Sequence, residues 1–198
     1  MALLLLPLSA CSSLAGQTLE DAWGGSLEVH REQARKLPYA SLLVNAYGNR
    51  SLLVLAYQAG EPGDATTLWQ ARDQGTLTLT DGRLFSTAGF GRDLLSLSRT
   101  APAAGGRYRV SSHWQEADGA DHRAQGLATW QCHTPESVSL PLTTLALERC
   151  EETVDWQGAG TSHNILWRDP ETQRLWAGTE TPWPGAAPVE WQVARPWW

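Results

Sequence analysis

Beyond its first residues the sequence has no apolar run approaching the ~18 residues that a membrane-spanning helix needs, which predicts a water-soluble body. It has no excess of positive charge either. The formal net charge is −6 at pH 7, which argues against a nucleic-acid partner, because such binding needs a basic footprint. The motifs of common catalytic sites are missing: no Gly-x-Ser-x-Gly elbow, no Gly-rich phosphate loop ahead of a helix, no His-Glu-x-x-His metal helix. Internal repeats and low-complexity tracts are missing too. Phenylalanine is scarce, with 2 residues, whereas tryptophan supplies 11. Most of these tryptophans are expected to fill a core as Phe would, the alternative being sugar stacking or partner anchoring. Trp197 and Trp198, after Pro196, are the hardest to bury and are the candidate contacts for a glycan or partner.

The chain starts with a short apolar stretch, residues 2–8, and then Leu8-Ser9-Ala10-Cys11. That stretch sits at the lower limit of a secretory h-region, and no Lys or Arg precedes it, which points to a start upstream of Met1. Leu-Ser-Ala-Cys resembles the lipobox of bacterial lipoproteins. The resemblance implies removal of residues 1–10, lipidation of Cys11, and a tether over residues 11–25 leading to a single β-rich periplasmic domain, 26–198. Several acyl chains anchor stably where one does so only marginally. Ser12 and Ser13 follow the cysteine with no inner-membrane retention Asp, so the expectation is an outer-membrane anchor facing the periplasm. The alternative is a buried N-terminal strand with a structural Cys11.

With Cys11 spent on lipid, Cys132 and Cys150 remain, and in an oxidising compartment they are expected to pair, the alternative being two buried free thiols. Periodicity then predicts a mainly β fold of about ten strands, an antiparallel sandwich or a partly closed barrel, with one short N-terminal helix. The helix is placed at 26–37, a charged stretch stopped by Pro38. Strands are expected at 40–47 and 51–57 around a Gly48-Asn49 turn, and at 76–80 ahead of Asp81-Gly82, the strongest hairpin signal in the chain. Residues 107–116 and 122–132 flank Asp118-Gly119; 137–156 reads as two strands or one bent near Pro141; 164–168, 174–179 and 189–194 complete the set. The loops at 101–106 and 181–188 are possible internal boundaries, but both are short enough to lie within one domain.

Candidate chemistry is sparse. His113 and His122 can approach each other across the Asp118-Gly119 hairpin, but two histidines do not complete a zinc site, and exposed hairpin histidines are expected. A disulfide would deny Cys132, beside His133, to any metal. Glu151 and Glu152, being adjacent on a strand, face opposite ways and read as a solvated edge rather than an acid/base pair. No catalytic residue, metal site or cofactor is expected.

Several fragments carry a family resemblance. Pro38-Tyr39-Ala40-Ser41, Trp69 with Arg72-Asp73, and Asp81-Gly82-Arg83-Leu84 through Thr87-Ala88-Gly89-Phe90 to Asp93-Leu94 form a front half. Asn164, Trp167, Asp169-Pro170, Leu175-Trp176 and Pro196 form a back half. In order and spacing these resemble the YjbF/GfcB family, the group 4 capsule polysaccharide lipoproteins. Ile165-Leu166 stands where an aromatic is usual, Ala177 where Arg or Lys is usual, and Arg195 in place of Lys. The motif residues read as mainly structural: Gly82 supplies the positive φ of a tight turn, and Arg83 is expected to pair with Asp73 or Asp93 around the loop that Gly89 ends. The alternative is that the loop, with Thr87 and Gly89, presents a groove to glycan or partner. The resemblance implies a non-enzymatic outer-membrane lipoprotein that assists assembly or secretion of capsular polysaccharide or exopolysaccharide. Its expected partners are an outer-membrane β-barrel or other export proteins, and polysaccharide. The competing readings are a periplasmic glycan-modifying enzyme and a structural lipoprotein without a glycan role.

Overall fold

A computed structural model describes residues 26–61, 65–100 and 106–198. Cys11, the leader over residues 1–10, the tether over 11–25 and most of the loop candidate at 101–106 lie outside the described residues.

Helix α1, Ser26–Lys36, carries Glu28 in its first turn and Arg35 and Lys36 in its last, which complements the helix dipole. It ends one residue before Leu37-Pro38, as the restriction on the residue preceding proline demands. Ala34 is fully buried against Leu43 and Ala194, fixing the helix on the outside of the sheet.

Thirteen strands follow among the described residues: β1 Ser41–Ala46, β2 Asn49–Ala59, β3 Thr66–Gln70, β4 Thr76–Thr80, β5 Arg83–Ala88, β6 Asp93–Arg99, β7 Arg107–Gln115, β8 Asp121–Cys132, β9 Glu136–Ser139, β10 Thr144–Trp156, β11 Gly160–Arg168, β12 Leu175–Glu180 and β13 Val189–Arg195. Twelve form one antiparallel ladder in the order β5-β4-β3-β2-β1-β13-β12-β11-β10-β8-β7-β6, and β9 pairs with the first part of β10. The two ends of this ladder, β5 and β6, are consecutive in sequence and meet in space. Leu94 N donates to Thr87 Oγ1 at 3.0 Å, and Arg99 Nη1 donates to the Leu84 carbonyl at 3.0 Å. The sheet is thus a nearly closed barrel, the second of the two architectures expected, joined along one seam by side chains instead of ladder bonds.

Period-2 alternation decides which side chains fill the barrel. Leu42, Val44 and Ala46 of β1 point inward, as do Val189, Trp191 and Val193 of β13, while Leu43 faces α1. Trp69, Trp156 and Trp191 are among the largest buried side chains of this interior. Val138, Leu140, Leu147, Trp167 and Ala177 make a smaller apolar cluster of their own. Cys132 and Cys150 are opposite each other in the β8/β10 register and are joined by a disulfide.

Several expected boundaries shift. The first hairpin turns on Tyr47-Gly48, not Gly48-Asn49: both have positive φ, 53° and 83°, and Asn49 already pairs with Ala46. The two-residue turn that matches sheet twist needs positive φ at both central positions, and here a tyrosine takes the first. Asp81 and Gly82, with φ of 48° and 75°, form the expected turn. The 137–156 region is two strands, separated where Leu140 N bonds the Thr143 carbonyl. Strands β3, β5 and β6 were not expected from the sequence; each is a short stretch with many Ser, Thr or Arg residues.

Candidate functional site

On β10, Cys150, Glu152, Val154 and Trp156 are buried at alternate positions. This places the Glu152 carboxylate inside the barrel, 1% exposed, while Glu151 faces out beside Arg149. The adjacent pair is not a solvated edge: β pleating sends one member to water and the other into the core. A second carboxylate, Glu180, ends β12 and is fully buried.

Two arginines reach these acids from the seam strands. Arg83, the first residue of β5, donates from Nη2 to Glu152 Oε2 at 2.8 Å and from Nε to Glu180 Oε2 at 2.9 Å. Arg99, the last residue of β6, donates from Nη2 to the same Glu180 oxygen at 2.7 Å, and its Nε lies 3.6 Å from Glu152 Oε1. Glu180 Oε1 accepts the Leu84 backbone N–H at 2.8 Å and the Trp191 indole N–H at 3.4 Å. Glu152 also accepts the Tyr108 hydroxyl and the Asn164 amide, and Asn164 Oδ1 in turn accepts the Thr181 N–H at 2.8 Å. All four carboxylate oxygens therefore have partners, and the formal charges cancel.

Burial alone would raise the Glu152 carboxyl, but Arg83 and Arg99 outweigh it and hold it at about 2. Burial, then the neighbouring carboxylate, pushes the Tyr108 hydroxyl up. For Arg83, burial works against the charged form but Glu180 and Glu152 more than compensate, so its guanidinium is held above its usual value. Arg99 is lowered by burial and then by Arg83 beside it. A carboxylate that stays ionised and is saturated by donors is poorly suited to deliver or take a proton. What the cluster does is mechanical: Glu180 holds both free sheet edges at once, through Arg83 and Leu84 of β5 and Arg99 of β6. A cavity of about 330 Å³ opens over this clasp, lined by Arg83, Arg99, Tyr108 and Trp130 among others, with the Arg83 guanidinium 5.1 Å from the Trp130 ring centroid.

The expected site residues scatter around this cluster. Arg83 pairs with Glu152 and Glu180, not with Asp73 or Asp93, because as an inward-facing β5 residue it points away from both turns. Asp93 instead accepts the Gly89 and Phe90 N–H groups, and Asp73 accepts Gly75 N–H. Thr87 is 4% exposed and engaged with Leu94, so it presents no groove. A side chain at Gly89 would meet the Gly75 backbone at 3.2 Å. Asn164 belongs to the clasp. Asp169 accepts the Glu171 and Thr172 N–H groups in the β11/β12 turn, and chiefly the Thr172 bond holds its carboxyl below the ordinary value. Trp69 and Trp167 are buried and Tyr39 is exposed. Trp197 packs edge-on against Trp69 with centroids 4.8 Å apart. Trp198 is 38% exposed, edge-on to Trp176 at 5.1 Å, with the Arg174 guanidinium 5.1 Å over its ring. His122 stacks on Trp114, and His113 lies 3.7 Å from Asp121.

Sequence reasoning missed Glu152, Glu180, Arg99 and Tyr108 as a unit. One signal was present: in the alternation Cys150, Glu152, Val154, Trp156 a charge occupies the apolar phase.

Residues 17–193 match the family described as group 4 capsule polysaccharide lipoprotein gfcB, YjbF. The chain belongs to the YjbF family. Its fold is similar to that in the crystal structure of the hypothetical lipoprotein YmcC from Escherichia coli (K12), with 20% sequence identity, a TM-score of 0.68, and coverage of 95% of this chain and 98% of that one. No curated protein sequence matches. YjbF proteins are thus lipoproteins associated with capsule polysaccharide, not a known enzyme family.

Proposed function

We propose that this protein is a non-catalytic lipoprotein, anchored through Cys11 in the outer membrane and facing the periplasm, that assists assembly or secretion of capsular polysaccharide or exopolysaccharide. It does so by docking to export partners, an outer-membrane β-barrel among them, with Trp197 and Trp198 as candidate contacts. The observation that carries this reading is the family match over residues 17–193. The state of the buried carboxylates supports its non-catalytic part: Glu152 is bonded to Tyr108, Arg83 and Asn164 and has no free lone pair aimed at a substrate.

The test is complementation of a deletion strain. Polymer export is expected to return with the full-length gene and to fail with Cys11→Ser, and affinity capture of the lipidated protein should retain an outer-membrane protein in the absence of glycan. Export that is intact in the deletion strain, or polysaccharide turnover by the purified protein, would overturn the proposal.

A further inference from the structure

On the outside of the barrel, between α1, the exposed face of β2 and the β3/β4 turn, runs an open cleft of about 1070 Å³. Its floor includes Leu52 and Val54, half-buried alternate residues of β2 that face away from the core. Around them stand three cationic side chains, Lys36 from the end of α1, Arg50 from β2 and Arg72 from the β3/β4 turn, all exposed. Asp73 is the one acidic residue among the lining, and its Oδ1 accepts the Gly75 N–H. Lys36 keeps an ion pair with Glu32 at 3.2 Å on the helix surface. The cleft therefore inverts the charge of a chain whose net is −6.

The geometry points to this cleft as a binding site for a carboxylate-bearing, uronic-acid-type segment of the exported polysaccharide. The inference rests on the proposed role in polysaccharide export and adds the ligand's chemistry and place. Arginine forks suit planar carboxylates, and the apolar C–H faces of a sugar suit the Leu52/Val54 floor. The volume lies at the upper end of small-ligand pockets, about 300–1000 Å³, which fits several linked sugars. An anionic membrane surface is the other polyanion in reach of a lipoprotein, but it is broad and flat and would meet a protruding patch, whereas these cations surround a hollow.

The test uses full-length lipidated protein in neutral detergent, titrated calorimetrically with a galacturonate hexamer and with a neutral glucose hexamer of equal length. The galacturonate hexamer is expected to bind at least about tenfold more tightly, with affinity falling as salt rises. Arg50→Glu with Arg72→Glu should weaken binding at least about tenfold at an unchanged melting temperature. Arg72→Gln alone, in an exposed turn, should weaken it several-fold and serves if the double variant misfolds. Equal binding of the neutral hexamer, no binding of either, or unaltered affinity in the variants overturns the site. So does loss of binding to phosphatidylglycerol vesicles in the variants while hexamer binding persists. Export rescue by the same variants is scored separately: a failed titration with rescued export removes the site and leaves the export role standing, and export that never depended on the gene removes the role itself.

Discussion

Glu152 shows how much one buried charge can decide. Removing one partner from a buried, hydrogen-bonded ion pair costs about 3–5 kcal/mol, because the remaining charges stay desolvated. Glu152→Ala is therefore expected to lose about that much in urea unfolding. The depressed carboxyl also sets a pH dependence. Because the folded value, about 2, lies below the ordinary 4.5, the contribution is present above pH 4.5 and is lost as pH falls through about 2. It amounts to about 3 kcal/mol at neutral pH. Glu152→Gln should flatten the fall in melting temperature between pH 5 and 2, and an unchanged slope would contradict the assignment. The tryptophans divide by the same logic of burial. Trp69→Ala, at a site with 0% exposure, should cost about 3–5 kcal/mol, and Trp198→Ala less than about 1 kcal/mol.

At the scale of elements, glycine positions set which strands can lie close. Gly178 of β12 is paired with Trp191 of β13, and a Cβ there would come within 2.7 Å of the indole. Gly178→Ala must push Trp191 from its place beside Glu180, and a loss of about 1–3 kcal/mol is expected by thermal unfolding. Reduction of the Cys132–Cys150 bridge, which closes a span of 18 residues containing β9, should cost about 3 kcal/mol. Elements of this kind were largely legible in the sequence. Asp81-Gly82, the charged run before Pro38 and the alternation in β10 are local signals, and local physics fixed them. The Tyr47-Gly48 turn was misplaced by one residue because glycine can occupy either central position and only the partner strand settles the register. β3, β5 and β6 escaped because Ser, Thr and Arg at half-buried positions blur the contrast between two faces.

The whole molecule depends on contacts that no local pattern records. Barrel closure follows from strand number, tilt and stagger together, so the sequence left sandwich and barrel open. The clasp was hidden for the same reason: Arg83 lies 69 residues from Glu152 and 97 from Glu180 in sequence, and closure alone brings them together. The family resemblance, by contrast, was legible from the ordered fragments between Tyr39 and Pro196. The seam is expected to be the first part of the barrel to open. In hydrogen exchange the β5 and β6 amides along it should exchange faster than those of β10 and β11, and Glu180→Gln should widen that gap while the β10/β11 ladder stays protected. The clasp at Glu180 also bears on how the protein behaves in a crowd. Two strand edges that lack ladder partners invite pairing with another chain, and most sheets deter this with surface charge or proline. Here one carboxylate keeps the two edges turned toward each other, so its loss would create a protein that polymerises edge to edge as its concentration rises.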